Sequence, residues 1–401
     1  MDSAKRHILV INGGSSSIKF AIYDAGETLA PLLQGETESS GSDRTRLTAR
    51  NGNTGEKFSV EFRVRDKNDE INQLAGWLIK REEAGPIKAI GHRIVHGMKH
   101  ASPELISPGL LDEFRQISVF DPEHLPDEIK LIETMAGSFP GASQFACFDT
   151  SFHQEMPVVA KMLPIPRRYL AKGIQHYGFH GISCSYLLEE LARLRGEEIK
   201  KLKIILAHLG NGASVTAVRE GKSVDTSMGF TPTGGIPMGA RTGDLDPGVA
   251  WYLVETEKLG PAEFSHLINH ESGMLGISET SSDMRILLDL QEADNRAAEA
   301  IDLFCYQVRK WIGAYAAVLG GVDILVFSGG IGENAAEVRM RICKELGFLG
   351  IELDQEYNRQ NHPIISSANS RTRVYVIRTN EELMIAKMVS SLMAYSCNYQ
   401  M

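Results

Sequence analysis

The chain has 401 residues, enough for two or three domains at roughly 150 residues each. Asp and Glu outnumber Lys and Arg by 51 to 42, and the resulting net charge of −9 argues against a protein that works by neutralising nucleic-acid phosphates. Hydrophobic and charged fractions of 43% and 23% belong to a folded globular chain rather than a disordered one.

The five cysteines lie at least 37 positions apart and form no CxxC pair, which disfavours zinc ribbons and dithiol redox centres and fits a reducing compartment. After Lys5 and Arg6 only four apolar residues, Ile8–Ile11, precede Asn12, too few for a signal peptide. The longest apolar tract, from Ile312 to Phe327, is broken by three glycines and Asp323 and falls short of the ~18–20 residues of a membrane helix. The expectation is a cytoplasmic protein without a membrane or nucleic-acid partner.

In chain order, Ile8–Ile11 reads as a strand, Asn12–Ser17 as a Gly/Ser turn, and Ile18, Phe20 and Ile22 as an alternating return strand. Helical spacing follows over Asp69–Arg81 and Tyr186–Arg195. The hairpin plan then recurs, with Ile204–Leu206, a turn at Gly210–Ser214, and Val215 and Ala217. Further on come a long helix over Ala297–Leu319, a buried strand over Asp323–Ser328 and a helix over Ala335–Leu346. In that last helix Asn334 and Glu337 stand as N-cap and N3 partner, and Gly347 as its stop. A polar loop, a strand over Val374–Ile377 and a helix over Glu381–Tyr395 close the chain. Mixed strands and helices predict an α/β protein, and the repeated hairpin hints at duplicated domains.

Glycine-rich turns raise the question of phosphate binding. Gly221-Lys222-Ser223 is not a Walker A loop, because Thr216 stands where the first glycine belongs. Gly330-Ile331-Gly332-Glu333-Asn334-Ala335 does fit the looser dinucleotide pattern, with Glu352 about 20 residues on, so an NAD-binding oxidoreductase is one alternative. Asn12 to Ser17 with Lys19 offers a nest of backbone N–H groups and hydroxyls suited to an anion, and the second loop carries His208 and Asn211.

Arg93 and Arg241 sit among small or apolar residues, where an unpaired charge is costly and a guanidinium fork suits carboxylate or phosphate, or else a structural ion pair. Of the histidine pairs spaced by four, only His266 and His270 share a helix face, and none has the HExxH glutamate. His180, between glycine-flanked positions, is the functional candidate, while His100, His153 and His362 read as surface or packing residues. Asp149 and Glu381 could hold Mg²⁺ through oxygen, although a helix N-terminus alone would explain a glutamate.

Taken together, Asn12–Phe20, Gly91–Gly97, Phe148–His153, Tyr177–Gly181, His208–Ser214, Asp225–Phe230 and Ser328–Asn334 resemble the acetate and propionate kinase family, in order and from Val10 to about Lys387. The resemblance implies two actin-like ATPase (ribonuclease H-like) α/β domains with duplicated phosphate-binding hairpins and a central nucleotide cleft. It implies domains over 1–150, completed by a C-terminal helix at about 383–401, and over 151–382.

It further implies a homodimer that transfers the ATP γ-phosphoryl group to a short carboxylate, with Mg²⁺ or Mn²⁺; an actin-like ATPase acting through a bound partner is the other alternative. By the same resemblance Asn12 and Glu381 would hold the metal with help from Asp149, and Asp149, His180 and Arg241 would serve catalysis. Ser15, Ser17, Lys19, His208, Leu209, Gly210, Asn211 and Gly212 would contact the ATP phosphates. Asp283, Met284, Arg285, Gly330, Ile331, Gly332, Glu333 and Asn334 would hold the nucleoside. Arg93 would take the substrate carboxylate.

Three stretches depart from the family pattern: Pro122-Glu123-His124-Leu125-Pro126 for Pro-Leu-His-Asn-Pro, Gly181-Ile182-Ser183-Cys184 for Gly-Thr-Ser-His, and Thr233-Gly234-Gly235-Ile236 for Leu-Glu-Gly-Leu after Thr-Pro. If 123–125 is extended, residues i and i+2 share a face. Leu125 would then join Val95, Phe179 and Pro232 as the apolar wall for the acyl group, with Glu123 facing solvent.

Overall fold

The computed structural model describes residues 7–14, 17–26, 28–39, 43–81, 83, 85–196 and 199–398, and side chains up to 394. The chain divides into two compact units, Met1–Ser151 with Asn380–Met401, and Phe152–Thr379.

The first unit is built on an eight-stranded sheet: β1 His7–Gly13, β2 Ser17–Asp24, β3 Ala30–Ser39, β4 Arg44–Asn51, β5 Lys57–Arg63, β6 Ile87–Ile94, β7 Glu104–Leu105 and β8 Ser143–Phe148. The strand order is β5-β4-β3-β2-β1-β6-β8-β7. β1 to β5 form an antiparallel meander, whereas β1, β6 and β8 run parallel. β4 alternates between exposed and buried side chains, as a half-solvated strand should, while β1 is buried at every position before Gly13. Leu9, Ile11, Phe20 and Ile22 pack with Leu74, Trp77 and Leu131 from the helices Lys67–Ile79 and Leu125–Ser138. The helix Glu381–Asn398 packs against β1 and β6. Its Leu383 N–H is capped by the Asn380 side chain at 2.9 Å.

The second unit repeats the plan on five strands: β9 Lys203–Leu209, β10 Ala213–Arg219, β11 Lys222–Thr226, β12 Ile324–Ser328 and β13 Arg373–Val376, in the order β11-β10-β9-β12-β13. β9, β10 and β11 are antiparallel neighbours, and β9, β12 and β13 run parallel. Each unit therefore carries a hairpin whose first strand also has a parallel neighbour, β1 with β6 and β9 with β12. Ligands gather beyond the carboxyl ends of parallel strands, because the loops leaving them converge there. Asn12, Arg93 and Asp149 occupy those ends in the first unit, and His208 and Ser328 in the second.

Two local expectations are corrected. The helix Gly181–Arg195 begins five residues before Tyr186, directly after His180. The segment 330–334 is not a turn feeding a helix capped by Asn334: Gly329–Asn334 is itself a short helix, and the next helix, Ala336–Cys343, has Ala335 at its N-cap and no side-chain cap. Glu337 instead bonds Arg341 and Gln291.

Candidate active site

In the first unit four separated segments deliver polar groups to one place. Asn12 ends β1 and is 5% exposed; its Nδ2 donates to Glu381 Oε2 and to Glu382 Oε1, both at 2.9 Å. Arg93 near the end of β6 donates from Nη2 to Asp149 Oδ2 at 2.9 Å and from Nη1 to Asn12 Oδ1 and the Gly13 carbonyl, both at 3.4 Å. Asp149 is wholly buried. Burial opposes the charge on Arg93, but Asp149, Glu381 and Glu128 outweigh it and hold the guanidinium firmly protonated. Burial, and then the charge of Glu381, raises the Glu382 carboxyl above its ordinary range. Arg93 Nε is buried and has no hydrogen-bond partner among the described residues. Lys19 is exposed on β2 directly opposite Asn12, Ser17 is half-buried, and Ser15 lies outside the described residues.

Among the described residues no three His, Cys, Asp or Glu side chains cluster to form a metal cage. Mg²⁺ does not need one, since it is held by one or two carboxylates with substrate phosphates and keeps several waters. The oxygens of Asn12, Asp149, Glu381 and Glu382 are hard donors of that kind.

In the second unit, His180 and His208 lie with ring centroids 4.3 Å apart. His180 Nδ1 pairs with Ser214 Oγ at 2.9 Å, and His208 Nδ1 with Ser183 Oγ at 2.8 Å. Ser183 also reaches Thr379 Oγ1 at 2.9 Å. A Cβ at Gly212 would fall 3.2 Å from His180 Nε2, so the imidazole would have to give by a few tenths of an ångström to admit one. The Gly239 N–H donates to the Asn211 carbonyl at 3.3 Å, which docks the loop bearing Arg241 onto the second hairpin turn. Arg241 is half-buried, with Nη1 3.5 Å from the Pro232 carbonyl.

The short helix after β12 is tied to itself. Glu333 Oε1 accepts from the Gly329 and Thr379 N–H groups, each at 3.0 Å, and Asn334 Nδ2 donates to the Gly330 carbonyl at 2.9 Å. Asp283 caps the helix Met284–Leu290 and grips Arg285 at 2.6 Å, whereas Met284 is 3% exposed. Leu209 is buried, so only its backbone is available to a ligand, and Gly210 to Gly212 form the turn itself.

The premise of an extended 123–125 segment is corrected. Leu125 opens the helix Leu125–Ser138 and is fully buried with Ile94, Phe114, Ile129 and Phe148. It packs in the core of the first unit rather than on an open wall. Glu123 is exposed, and Val95, Phe179 and Pro232 are buried. His153, read from sequence as a surface or packing residue, is buried and hydrogen-bonded at both ring nitrogens. Glu382, Glu128, Ser183 and Ser214 were not singled out in the sequence. Glu382 stands beside a residue that was, and Ser183 and Ser214 lie inside quoted motifs without a role of their own; Glu128 carries no local signal.

Two solved structures share this fold along nearly the whole chain. A propionate kinase from Francisella tularensis is 36% identical, covers 96% of this chain and 98% of its own, and superposes with a TM-score of 0.88. An acetate kinase from Porphyromonas gingivalis is 35% identical over 97% and 100%, with a TM-score of 0.85. The shared fold and identity place this chain among phosphotransferases. The acetokinase family model matches residues 7–387, and an acetate kinase of Halothermothrix orenii is 43% identical over 394 residues, covering 95% of this chain and 98% of that protein. The chain belongs to the acetokinase family. Neither the dinucleotide reading nor that of a partner-binding ATPase finds support in these relationships.

Proposed function

We propose that the protein reversibly transfers the γ-phosphoryl group of ATP to acetate, and to propionate as a second acid, giving an acyl phosphate and ADP. The observation that carries this reading is Arg93: a partly exposed, permanently charged fork anchored by the buried Asp149, with one N–H still unpartnered among the described residues. A carboxylate is the ligand that such a fork suits. Acetate is already ionised at pH 7, so the nucleophile needs no general base. The obstacle is the approach of two anions, and positive charge and donors aimed at the phosphoryl oxygens relieve it.

In this reading Arg93 binds the carboxylate, and Val95, Phe179 and Pro232 take its acyl group. Arg241 and His180 donate to the transferring group, and Ser214 holds the His180 ring at Nδ1. Gly210, Asn211, Gly212 and His208 receive ATP phosphates, as do Ser17 and Lys19 of the first hairpin. Asp283, Arg285 and Gly330 to Asn334 hold the nucleoside, Glu333 through its backbone because its carboxylate is engaged. Asn12 and Glu381, with Asp149, hold Mg²⁺ or Mn²⁺. A divalent ion held there would supply neutralising charge to the ATP phosphates.

The protein works as a cytoplasmic homodimer in this account. The helix Pro247–Thr256 has no buried residue and leaves Trp251 and Tyr252 exposed, an apolar face of the kind covered in an oligomer. Cys147, Cys184, Cys305 and Cys343 are buried free thiols, which fits a reducing compartment. No described helix is long and apolar enough to cross a membrane.

Trapping with hydroxylamine tests the function: ATP, Mg²⁺ and acetate should yield acetohydroxamate, propionate less, and longer acids little. Steady ATP consumption without hydroxamate would count against it.

A further inference from the structure

We infer that His153, oriented by Ser223, is a positioning residue that sets the place of His180; the inference rests on the phosphotransferase reading above. His153 is 1% exposed, and its Nε2 lies 2.9 Å from the Phe179 carbonyl oxygen. A carbonyl can only accept, so Nε2 carries the proton. Nδ1 lies 2.8 Å from Ser223 Oγ on β11, where it takes the hydroxyl proton when the ring is neutral. Both nitrogens are thus committed, and the ring has one orientation and one tautomer.

The Phe179 carbonyl belongs to the same rigid peptide plane as the His180 nitrogen, so holding that oxygen restricts the φ of His180. His180 adopts φ 58° and ψ 26°, a left-handed conformation that costs a non-glycine residue free energy and persists only where surrounding bonds enforce it. The preceding residues are held as well: the Tyr177 and Gly178 N–H groups both donate to the Gly229 carbonyl, at 3.0 and 3.3 Å. Gly178, at φ 80°, lies against the His153 ring, and a Cβ there would come within 2.7 Å of its Cγ. On the far side Ser214 of β10 fixes the His180 ring, and the helix Gly181–Arg195 starts immediately. His153 therefore supplies the constraint from the peptide side that Ser214 supplies from the ring side. Without it the Phe179–His180 peptide can rotate and carry the donor away from its target, while the groups assigned to ATP stay in place.

The test is a double-mutant cycle in the full-length protein. His153→Leu should lower kcat by ~10- to 100-fold, as misplacement of a catalytic group by about 1 Å does, with the KM for ATP within about threefold of wild type. His153→Gln, whose side-chain amide can still donate to the Phe179 carbonyl, should recover most of the lost kcat. In a His180→Ala background the loss caused by His153→Leu should vanish, because His153 acts only through His180. Additive losses, or a loss confined to KM, would overturn the inference. Should His153→Leu not fold, Ser223→Ala takes its place in the cycle: a smaller drop in kcat that disappears in His180→Ala supports the inference, and one that persists overturns it. A wild-type protein that makes no acyl phosphate would instead bring down the functional reading itself.

Discussion

Asp149 Oδ2 accepts a hydrogen bond from Arg93 Nη2 at 2.9 Å, and the carboxylate that anchors this guanidinium is wholly buried. The pair has two consequences that separate experimentally. Removing one partner of a buried ion pair strands the other, so Asp149→Ala should destabilise the protein by about 3–5 kcal/mol, and Asp149→Asn by less. Arg93→Ala should raise KM for the carboxylate by tenfold or more while leaving that for ATP nearly unchanged. Urea denaturation checks the first and steady-state kinetics the second; equal loss of affinity for both substrates would remove Arg93 from the carboxylate site.

Arg241 presents the opposite case. It is half-buried and its loop is tied down by backbone bonds, Met238 N–H to the Arg241 carbonyl at 2.9 Å and Gly239 N–H to Asn211 at 3.3 Å. Arg241→Ala should therefore leave the melting temperature close to wild type and lower turnover by ~10²–10³, the usual effect of losing one donor to transition-state charge. Near-normal turnover would exclude it from the chemistry.

The placement of Leu125 changes what its substitution should do. As a fully buried core residue, Leu125→Ala should cost ~2–5 kcal/mol of stability by creating a cavity, without a selective change in acid preference. Glu123→Gln, at an exposed position, should alter neither. A sharp shift from acetate to propionate in Leu125→Ala, at unchanged stability, would restore the residue to the acyl pocket.

The strand–turn–strand units were legible in the sequence because a Gly/Ser turn between alternating apolar runs has few other solutions. The 123–125 segment was misread because the prolines on either side suggest extended chain. Pro126 instead occupies the first turn of a helix, where its fixed φ and missing N–H do no harm. The helix over Gly329–Asn334 was misread as a turn for a related reason, since its glycines hide a tertiary context that overrides propensity. Long-range pairs had no local signal at all. Asn12 and Glu382 are 370 positions apart, and His153 and Ser223 are 70 apart, so only the fold brings them together.

His92 and His96 provide a pH signature. Burial pulls both imidazoles down to about 4, opposed only in part by the bond from His92 to Gln144 and by the charge of Asp121 near His96. The unfolded chain, titrating near ~6.5, takes up these protons first as pH falls. Each histidine therefore removes stability progressively between about pH 6.5 and 4, up to ~3 kcal/mol. Glu128, whose carboxyl is raised by burial, contributes the opposite slope, so the effect is read as a difference between proteins. Relative to His92→Gln, the wild type should lose urea resistance from pH 7 to pH 5; parallel curves would show that His92 is not buried as a neutral ring.

The account turns on a carboxylate oxygen attacking the γ-phosphorus, and isotope labelling follows that oxygen directly. With ATP, Mg²⁺ and acetate carrying ¹⁸O in both carboxylate positions, ³¹P NMR should show an acyl phosphate resonance displaced by one directly bonded ¹⁸O, growing as the γ-phosphate of ATP declines. Inorganic phosphate without label, and no acyl phosphate resonance, would show that the γ-phosphoryl group goes to water and would contradict it.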